Sequence, residues 1–265
     1  MLPDERHNFI YNHLHQHQTA TINQLAKLME VSHMTIRRDI QSMVDEGKVI
    51  AISGGVKLHD ALKQELPYVE KAMLHHQHKQ KIGELAAQLI EAGQVIYLDA
   101  GTTSFEVARH IAKKLNKVTV ITNDFTICNF LMNMSHINLF HTGGQVDLRN
   151  RSCVGSSAAN FLLTLNIDVA FISTSSWDLT HGLSTPEEGK ALVKKAIISA
   201  SRRKILISDS SKYGKYGMFH ISHLNELTDI ICDNQLDAET QQNLRALGIN
   251  LHLTHSRQGS GGHHA

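Results

Sequence analysis

Apolar positions recur three times at helical spacing before any strand-like run begins. Between Pro3 and about His17, Phe9, Ile10 and Leu14 share one helical face. Leu25, Leu28 and Met29 predict a second short helix, after a connection at Thr19 to Thr21. The third helix is predicted from His33 to about Glu46, with Ser32 as its N-cap and Gly47 as its stop. Within it Ile36, Ile40, Met43 and Val44 recur at i, i+4, i+7 and i+8, a single face turned toward the first two helices. The runs Val49 to Ile52 and Val56 to Leu58 then flank Ser53-Gly54-Gly55, the spacing of a β-hairpin with a glycine turn and a candidate wing.

Beyond residue 60 the pattern changes. Asp60 to His78 lacks clear periodicity and includes Pro67, which suggests a linker. His75, His76 and His78 lie in it with no nearby Cys or carboxylate pattern, so a solvated linker is favoured over a metal site. From Lys79 onward helix and strand alternate: Ile82 to Glu91, Val95 to Leu98, Phe105 to Leu115, Val118 to Ile121. Further apolar runs follow at Ile137 to Phe140, Asp168 to Ile172, Ile205 to Ile207 and Ile230 to Cys232, with helical stretches at Lys190 to Ala200 and Ala238 to Leu247. These strand runs are near-continuous rather than alternating, as in strands buried on both faces, so a mostly parallel, doubly wound α/β sheet is expected behind a small α+β head. The division that results is a head at residues 1–58, a linker at 59–78 and a larger domain at 79–255, with residues 259–265 read as a tag remnant.

Composition changes this picture little. At 265 residues the chain exceeds what a single core usually supports, about 250 residues, so two bodies are the default. No apolar run reaches the roughly 18 residues of a membrane span, and no apolar stretch follows a basic N-terminus, so neither membrane nor secretion is expected and the cytoplasm is the expected compartment. Cys128, Cys153 and Cys232 are odd in number and scattered, which suits a reducing compartment and argues against a disulfide framework or a zinc ribbon. A formal net charge of +1 gives no bulk attraction to nucleic acid, and residues 1 to 60 hold six Lys/Arg against seven Asp/Glu. Any DNA reading therefore rests on locally placed cations.

The third helix supplies such cations. Opposite its apolar face stand His33, Met34, Thr35, Arg37, Arg38, Gln41 and Ser42, with the arginines in the half that a recognition helix presents to base edges and phosphates. The planar guanidinium fork holds guanine bidentately or grips a phosphate. The run Val31-Ser32-His33-Met34-Thr35-Ile36-Arg37-Arg38-Asp39-Ile40, after a short helix and before a glycine hairpin, resembles the signature of the DeoR family of bacterial regulators. The resemblance implies a winged helix-turn-helix that binds double-stranded operator DNA through Ser32, His33, Met34, Thr35, Arg37, Arg38 and Gln41. It departs in the wing, where family members commonly carry Arg and His before the paired glycines and this chain has Ala51 and Ser53.

A second chemistry sits at the predicted strand ends. After the first buried strand comes Asp99-Ala100-Gly101-Thr102-Thr103-Ser104 and at once a helix: a glycine for close approach, unpaired N–H groups and three hydroxyls, the makings of an anion cradle. Polar clusters Thr122-Asn123-Asp124, Thr142-Gly143-Gly144, Ser173 to Ser176 and Asp209 to Lys212 follow other strands. In open α/β sheets that edge is where ligands bind, so these motifs are expected to converge on one crevice. The motifs also resemble the DeoR-type sensor domain, whose fold is that of ribose-5-phosphate isomerases and coenzyme A transferases and which binds phosphorylated sugars.

By that resemblance Gly101, Thr102 and Thr103 would hold phosphate, with Asp99, Asn123, Gly143, Gly144, Ser175, Ser176, Asp209 and Lys212 lining the crevice. Arg149 and Arg151 would pair with phosphate or carboxylate. Lys194 is a further candidate cation, with an exposed lysine on an amphipathic helix as the alternative. Ser175 and Ser176 stand where the family usually has Gly-x-Asp-Gly; a fixed Asp would repel an acid, so the change suits an effector with its own carboxylate. The resemblance to particular family members further implies a four-carbon sugar acid.

The rival enzyme readings lack their chemistry. Proton abstraction beside a carbonyl needs a placed base. The isomerases carry Asp-Gly-Ala-Asp followed by Lys-Gly-Gly-Gly, and neither is found at Ser173 to Trp177 or Gly182 to Gly189. No GxGxxG follows Val95 to Leu98, against a nicotinamide enzyme. No catalytic residue, metal ligand or cofactor is expected. A homodimer or homotetramer is, because paired heads on a repeated operator multiply affinity.

Overall fold

The computed structural model describes residues 2–17, 19–45, 48–58, 60–62, 64–113 and 117–254. The expected ends at Glu46 and Gly47, and the tag remnant at 259–265, lie outside them.

The head comprises α1 (Pro3–His17), β1 (Thr19–Thr21), α2 (Ile22–Met29), α3 (His33–Asp45), β2 (Val49–Ile52) and β3 (Gly55–Leu58). Ile10, Leu14, Leu25, Ile36, Met43, Val49 and Val56 form its core. Thr19 to Thr21, expected as a connection, is a strand paired antiparallel with β3, and Thr21 then caps α2 in a reciprocal capping box with Gln24. Asp39, though charged, is buried on the inward face of α3 because Arg6 of α1 binds it through two hydrogen bonds of 2.6 and 2.7 Å.

The stretch expected as a linker is folded. β4 (Asp60–Leu62) leads to α4 (Tyr68–Met73) and α5 (His76–Gln88). Among its histidines, His78 Nδ1 lies 3.2 Å from the buried Asp233 carboxylate, and no cluster of metal-ligating side chains exists among the described residues. Then come β5 (Val95–Leu98), α6 (Thr102–Ile111), β6 (Val118–Thr122), α7 (Phe125–Leu131), β7 (Ile137–His141), β8 (Gln145–Asp147), β9 (Ser152–Val154), α8 (Gly155–Leu162) and β10 (Ile167–Ile172). The chain continues through β11 (Ser176–Asp178), β12 (Gly182–Thr185), α9 (Glu188–Ala200), β13 (Ser201–Ile207), β14 (Lys215–Gly217), β15 (Phe219–Ser222), β16 (Asp229–Cys232), α10 (Ala238–Ala246) and β17 (Asn250–Leu253).

The main sheet runs β17-β16-β13-β10-β5-β6-β7, and every neighbouring pair is parallel. Successive residues of β10 enter opposite cores: Ala170 and Ile172 join the one covered by α8 and α9, Val169 and Phe171 the one beneath α5, α6 and α7. That is why the run reads as continuously apolar. From β5 the order grows outward to β7 on one side and through β10 to β17 on the other. The strand order therefore reverses between β5 and β10, the place where open sheets leave a crevice at their carboxyl ends.

Head and sensor body are joined by more than the chain. β4 pairs in parallel with β14. Lys57 Nζ of β3 donates to the Tyr213 carbonyl at 3.2 Å, and Ile50 of β2 is buried in the sensor core, against Gly214. The base of the wing hairpin is thus turned toward the sensor. Among the described residues, no helix is long and apolar enough to cross a membrane.

Gly55 shows how tightly the head is built: a methyl there would overlap the Ala20 carbonyl oxygen across the β1–β3 pair. Gly55→Ala is expected to destabilise the head by about 1–3 kcal/mol, the usual cost of overpacking, read as an earlier first transition when the full chain is unfolded in urea. Gly54→Asn, at a left-handed φ of 74° with open space around it, is expected to cost under about 1 kcal/mol.

Candidate functional site

The carboxyl ends of β5, β10 and β13 surround a cleft lined mainly by polar and charged side chains. Its floor is the Asp99 carboxylate, almost wholly buried, which accepts the Ala100 N–H at 2.9 Å, the Ser173 N–H at 3.0 Å and a proton of Lys194. Lys194 also donates to the Ser173 carbonyl at 2.7 Å. This lysine of α9 is buried, which settles the alternative left open by its sequence position. Asn123, after β6, stitches the next loop: its Oδ1 accepts from Tyr97 Oη at 2.7 Å and Ala100 N at 2.9 Å, and its Nδ2 donates to the Cys153 carbonyl at 2.9 Å. Asp124 accepts the Gly101 N–H at 3.1 Å and caps α7; burial raises its carboxyl to about 6, against the opposing pull of those backbone donors.

Held in this way, the Gly101 loop opens α6 into the cleft. Gly101 offers no side-chain cap to the first N–H groups of α6, and Gly101, Thr102 and Thr103 line the cavity. A side chain at Gly101 would press on Ser173 Oγ at 2.9 Å. Ser152 and Ser175 also line the cleft, each with a buried hydroxyl that has no hydrogen-bond partner among the described residues. Such groups call for a polar ligand or water.

Five lysines reach the same space, and three of them are committed. Lys194 serves Asp99. Lys190 lies 3.1 Å from Glu65, 3.2 Å from Asp147 and 3.1 Å from Glu187, and those carboxylates raise it despite its burial. Lys71 binds Glu65 at 3.0 Å. Burial by itself would push the Glu65 carboxyl up, yet Lys71 and Lys190 hold it well below the usual carboxylate range. Lys79 donates only to the Lys71 carbonyl, and Lys212 has no partner among the described residues. Burial lowers Lys79 to about 8, with Asp209 opposing and Lys212 adding to the shift.

Of the residues predicted from sequence, Asp99, Gly101, Thr102, Thr103, Asn123, Ser175, Lys194, Asp209 and Lys212 line the cleft. Five do not. Gly143 and Gly144 form the exposed turn after β7, the edge strand farthest from the switch point on that side. Arg149 is exposed, and its backbone is what is used: its N–H donates to Asp147 Oδ1 at 3.0 Å and its carbonyl accepts from Tyr68 N at 3.1 Å. Arg151 lies outside as well, its guanidinium 5.3 Å from the ring centre of Tyr68. Ser176 turns its hydroxyl to the Ser184 carbonyl at 2.9 Å, inside the protein. Sequence reasoning missed Glu65, Tyr68, Lys71 and Lys79, which come from the supposed linker and the start of α5, and Asn150, Ser152 and Lys190. The only signal for the first group was a density of charge around Pro67.

In the head, Met34, Arg37, Arg38 and Gln41 form an exposed stripe along α3, beside exposed His33. Neither arginine has a partner among the described residues. Ser32 and Thr35 are engaged instead in the cap of α3: Ser32 Oγ accepts the Thr35 N–H at 3.1 Å and meets Thr35 Oγ1 at 2.9 Å. Gln41 reaches Asp45 at 2.9 Å.

The family model of the DeoR C terminal sensor domain matches residues 74–234, and that of the DeoR-like helix-turn-helix domain matches 6–61. The chain belongs to the DeoR family. It is 46% identical over 253 residues to an HTH-type transcriptional regulator of Haemophilus influenzae, covering 96% of this chain and 98% of that one. It is 43% identical to the HTH-type transcriptional regulator YgbI of Escherichia coli K12, covering 95% and 98%. Ribose 5-phosphate isomerase A of Methanocaldococcus jannaschii aligns with 52% of this chain and 54% of its own at 20% identity and a TM-score of 0.39, a likeness too slight to speak of function. This DeoR-family chain is accordingly a DNA-binding transcriptional regulator of α/β fold with a sensor domain.

Lys79 gives its cleft a pH signature. The ammonium is charged below about 8 and neutral above, so anion binding that uses it weakens as pH rises. Calorimetric titration with inorganic phosphate is expected to show affinity falling about tenfold between roughly pH 7 and 9. Lys79→Met should bind more weakly at pH 7 and lose most of that dependence.

Proposed function

We propose that this regulator represses an operon for sugar or sugar-acid catabolism and that a phosphorylated sugar or sugar acid, held in the cleft, controls its grip on the operator. The observation that carries the reading is that cations with no carboxylate in salt-bridge contact among the described residues occur in both places where an anion would be met. On α3 they are Arg37 and Arg38, exposed in the stripe that enters a major groove in a winged helix-turn-helix. In the cleft they are Lys79 and Lys212, beside the open N-terminus of α6 and the unpaired hydroxyls of Ser152 and Ser175. Phosphate sits against Gly101, Thr102 and Thr103 with Lys79 and Lys212 as counterions, while Asp99, Asn123 and Lys194 hold the loop rather than the ligand. Repression is in keeping with relatives such as the transcriptional repressor GlcR of Bacillus subtilis, 30% identical over 261 residues.

Ser32 and Thr35 shape the end of α3, and His33, Met34, Arg37, Arg38 and Gln41 read DNA. The base of the wing contributes to docking on the sensor, consistent with Ala51 and Ser53 standing where the family commonly has Arg and His. A single head offers little surface, so the working form is a homodimer or homotetramer whose sensor arrangement sets head spacing. Such a regulator acts in the cytoplasm, where the chromosome is.

Two measurements test the reading. Replacing Arg37 and Arg38 together by Ala is expected to weaken binding to promoter DNA from the protein's own locus by about 10- to 100-fold in a gel shift; unchanged occupancy would remove α3 as the reading element. Calorimetry with phosphorylated aldoses and aldonic acids is expected to give binding that Lys212→Met weakens by about tenfold. No heat across the panel would leave the cleft without an effector.

A further inference from the structure

Glu65 is the feature of the cleft that the proposed function leaves unused. It lies between the stretches matched by the two family models, residues 6–61 and 74–234. Its carboxylate is buried inside the anion site, 3.0 Å from Lys71 and 3.1 Å from Lys190, with Thr185 Oγ1 at 3.4 Å. A negative group thus fills part of a pocket in which five lysines outnumber the carboxylates of Glu65, Asp99 and Asp209. Its two cations are unequal. Lys190 also has Asp147 and Glu187, so loss of Glu65 would leave it compensated. Glu65 is the only carboxylate paired with Lys71 among the described residues. An acid group entering from outside would therefore take Lys71, and Glu65 would be the group to leave.

The position of Glu65 in the chain gives that exchange a consequence. Three residues before it ends β4, which pairs with β14 at Asp60–Lys215, Ala61–Tyr216 and Leu62–Gly217. Just upstream of β14, Lys212 lines the same cleft, and Tyr213 and Gly214 receive Lys57 and Ile50 from the wing hairpin. The two segments that join head to sensor are thus anchored in the cleft, one by Glu65 and one by the loop of Asp209 and Lys212.

We infer that Glu65 is a built-in stand-in for the acid group of the effector, so that a metabolite bearing both phosphate and carboxylate displaces it from Lys71 and loosens the β4–β14 joint to the reading head. The inference rests on the cleft being the effector site. It narrows the effector to a doubly anionic one and assigns the step by which binding reaches the head.

The test uses the full chain with two probes that differ in the acid group alone, 4-phosphoerythronate and erythrose 4-phosphate. Glu65→Gln removes the competing charge and keeps the shape. It is expected to bind 4-phosphoerythronate about tenfold more tightly than the unaltered protein, with little change for erythrose 4-phosphate. Amide hydrogen exchange at residues 60–62 and 215–217 is expected to be slow in the free protein, to quicken with 4-phosphoerythronate, and to be fast in Glu65→Gln without any ligand. Lys71→Met, which takes the partner from the other side, should likewise quicken exchange at 60–62 and should lose the preference for the acid probe, so a poorly folding Glu65→Gln does not end the test.

Weaker binding of both probes by Glu65→Gln would overturn the inference, since that marks a carboxylate that accepts ligand hydroxyls. Exchange in the β4–β14 pair that neither probe nor variant alters would overturn it too. If neither probe nor inorganic phosphate binds any form, the effector site itself is wrong; unaltered exchange in ligand-free Glu65→Gln would refute the tether separately.

Discussion

The Asp99 carboxylate is the point on which the sensor domain turns. A charge buried at the end of a central strand is tolerated only with a cation and hydrogen bonds around it. Lys194 from α9 supplies the cation; Ser173 and Ala100 supply the donors. One carboxylate thereby ties the ends of β5 and β10 to the helix between β12 and β13, across the point where the strand order reverses. The crevice of an open sheet is widest there, so the group that closes the structure also shapes the mouth of the cleft. Asn123 and Asp124 continue the seam to β6 and leave the N–H groups of α6 free.

The charges around this seam divide into those that have partners and those that do not. Lys190, Lys194 and Lys71 neutralise carboxylates that the fold has already buried, and their positive charge is mostly spent within the molecule. Lys79 and Lys212 have no carboxylate in salt-bridge contact among the described residues, and they line the same cleft as the N-terminus of α6. The same division holds in the head: Arg6 is locked to Asp39, whereas Arg37 and Arg38 point to solvent. A net charge of +1 conceals both sets, because whether a cation can meet an external anion depends on what the fold has already placed next to it.

Much of this was legible in the residues themselves. The three-helix rhythm, the glycine hairpin and the continuous apolar runs reported elements whose burial is set by local periodicity. Polar residues directly after Leu98, Ile172 and Ile207 marked true lining positions because each of those strands lies at or next to the switch point. The same reasoning misplaced Gly143 and Gly144, since β7 is followed by a polar turn of the same kind but lies at the sheet edge, while Arg149 and Arg151, expected from the resemblance, follow β8 outside the cleft. Ser176 failed for a different reason: one residue beyond Ser175, the start of β11 turns its hydroxyl inward to β12.

What the sequence determined by itself was the set of elements, the parallel sheet and the exposed arginine stripe, because each follows from spacing along a single helix or strand. Tertiary structure alone decided which strand ends share a crevice, and that Glu65, Lys71 and Lys79 enter it from a stretch with no periodicity of its own. The reason is physical. Local periodicity records which side of an element is buried, whereas strand order and long-range pairing, such as β4 with β14, determine which buried sides and which charges meet.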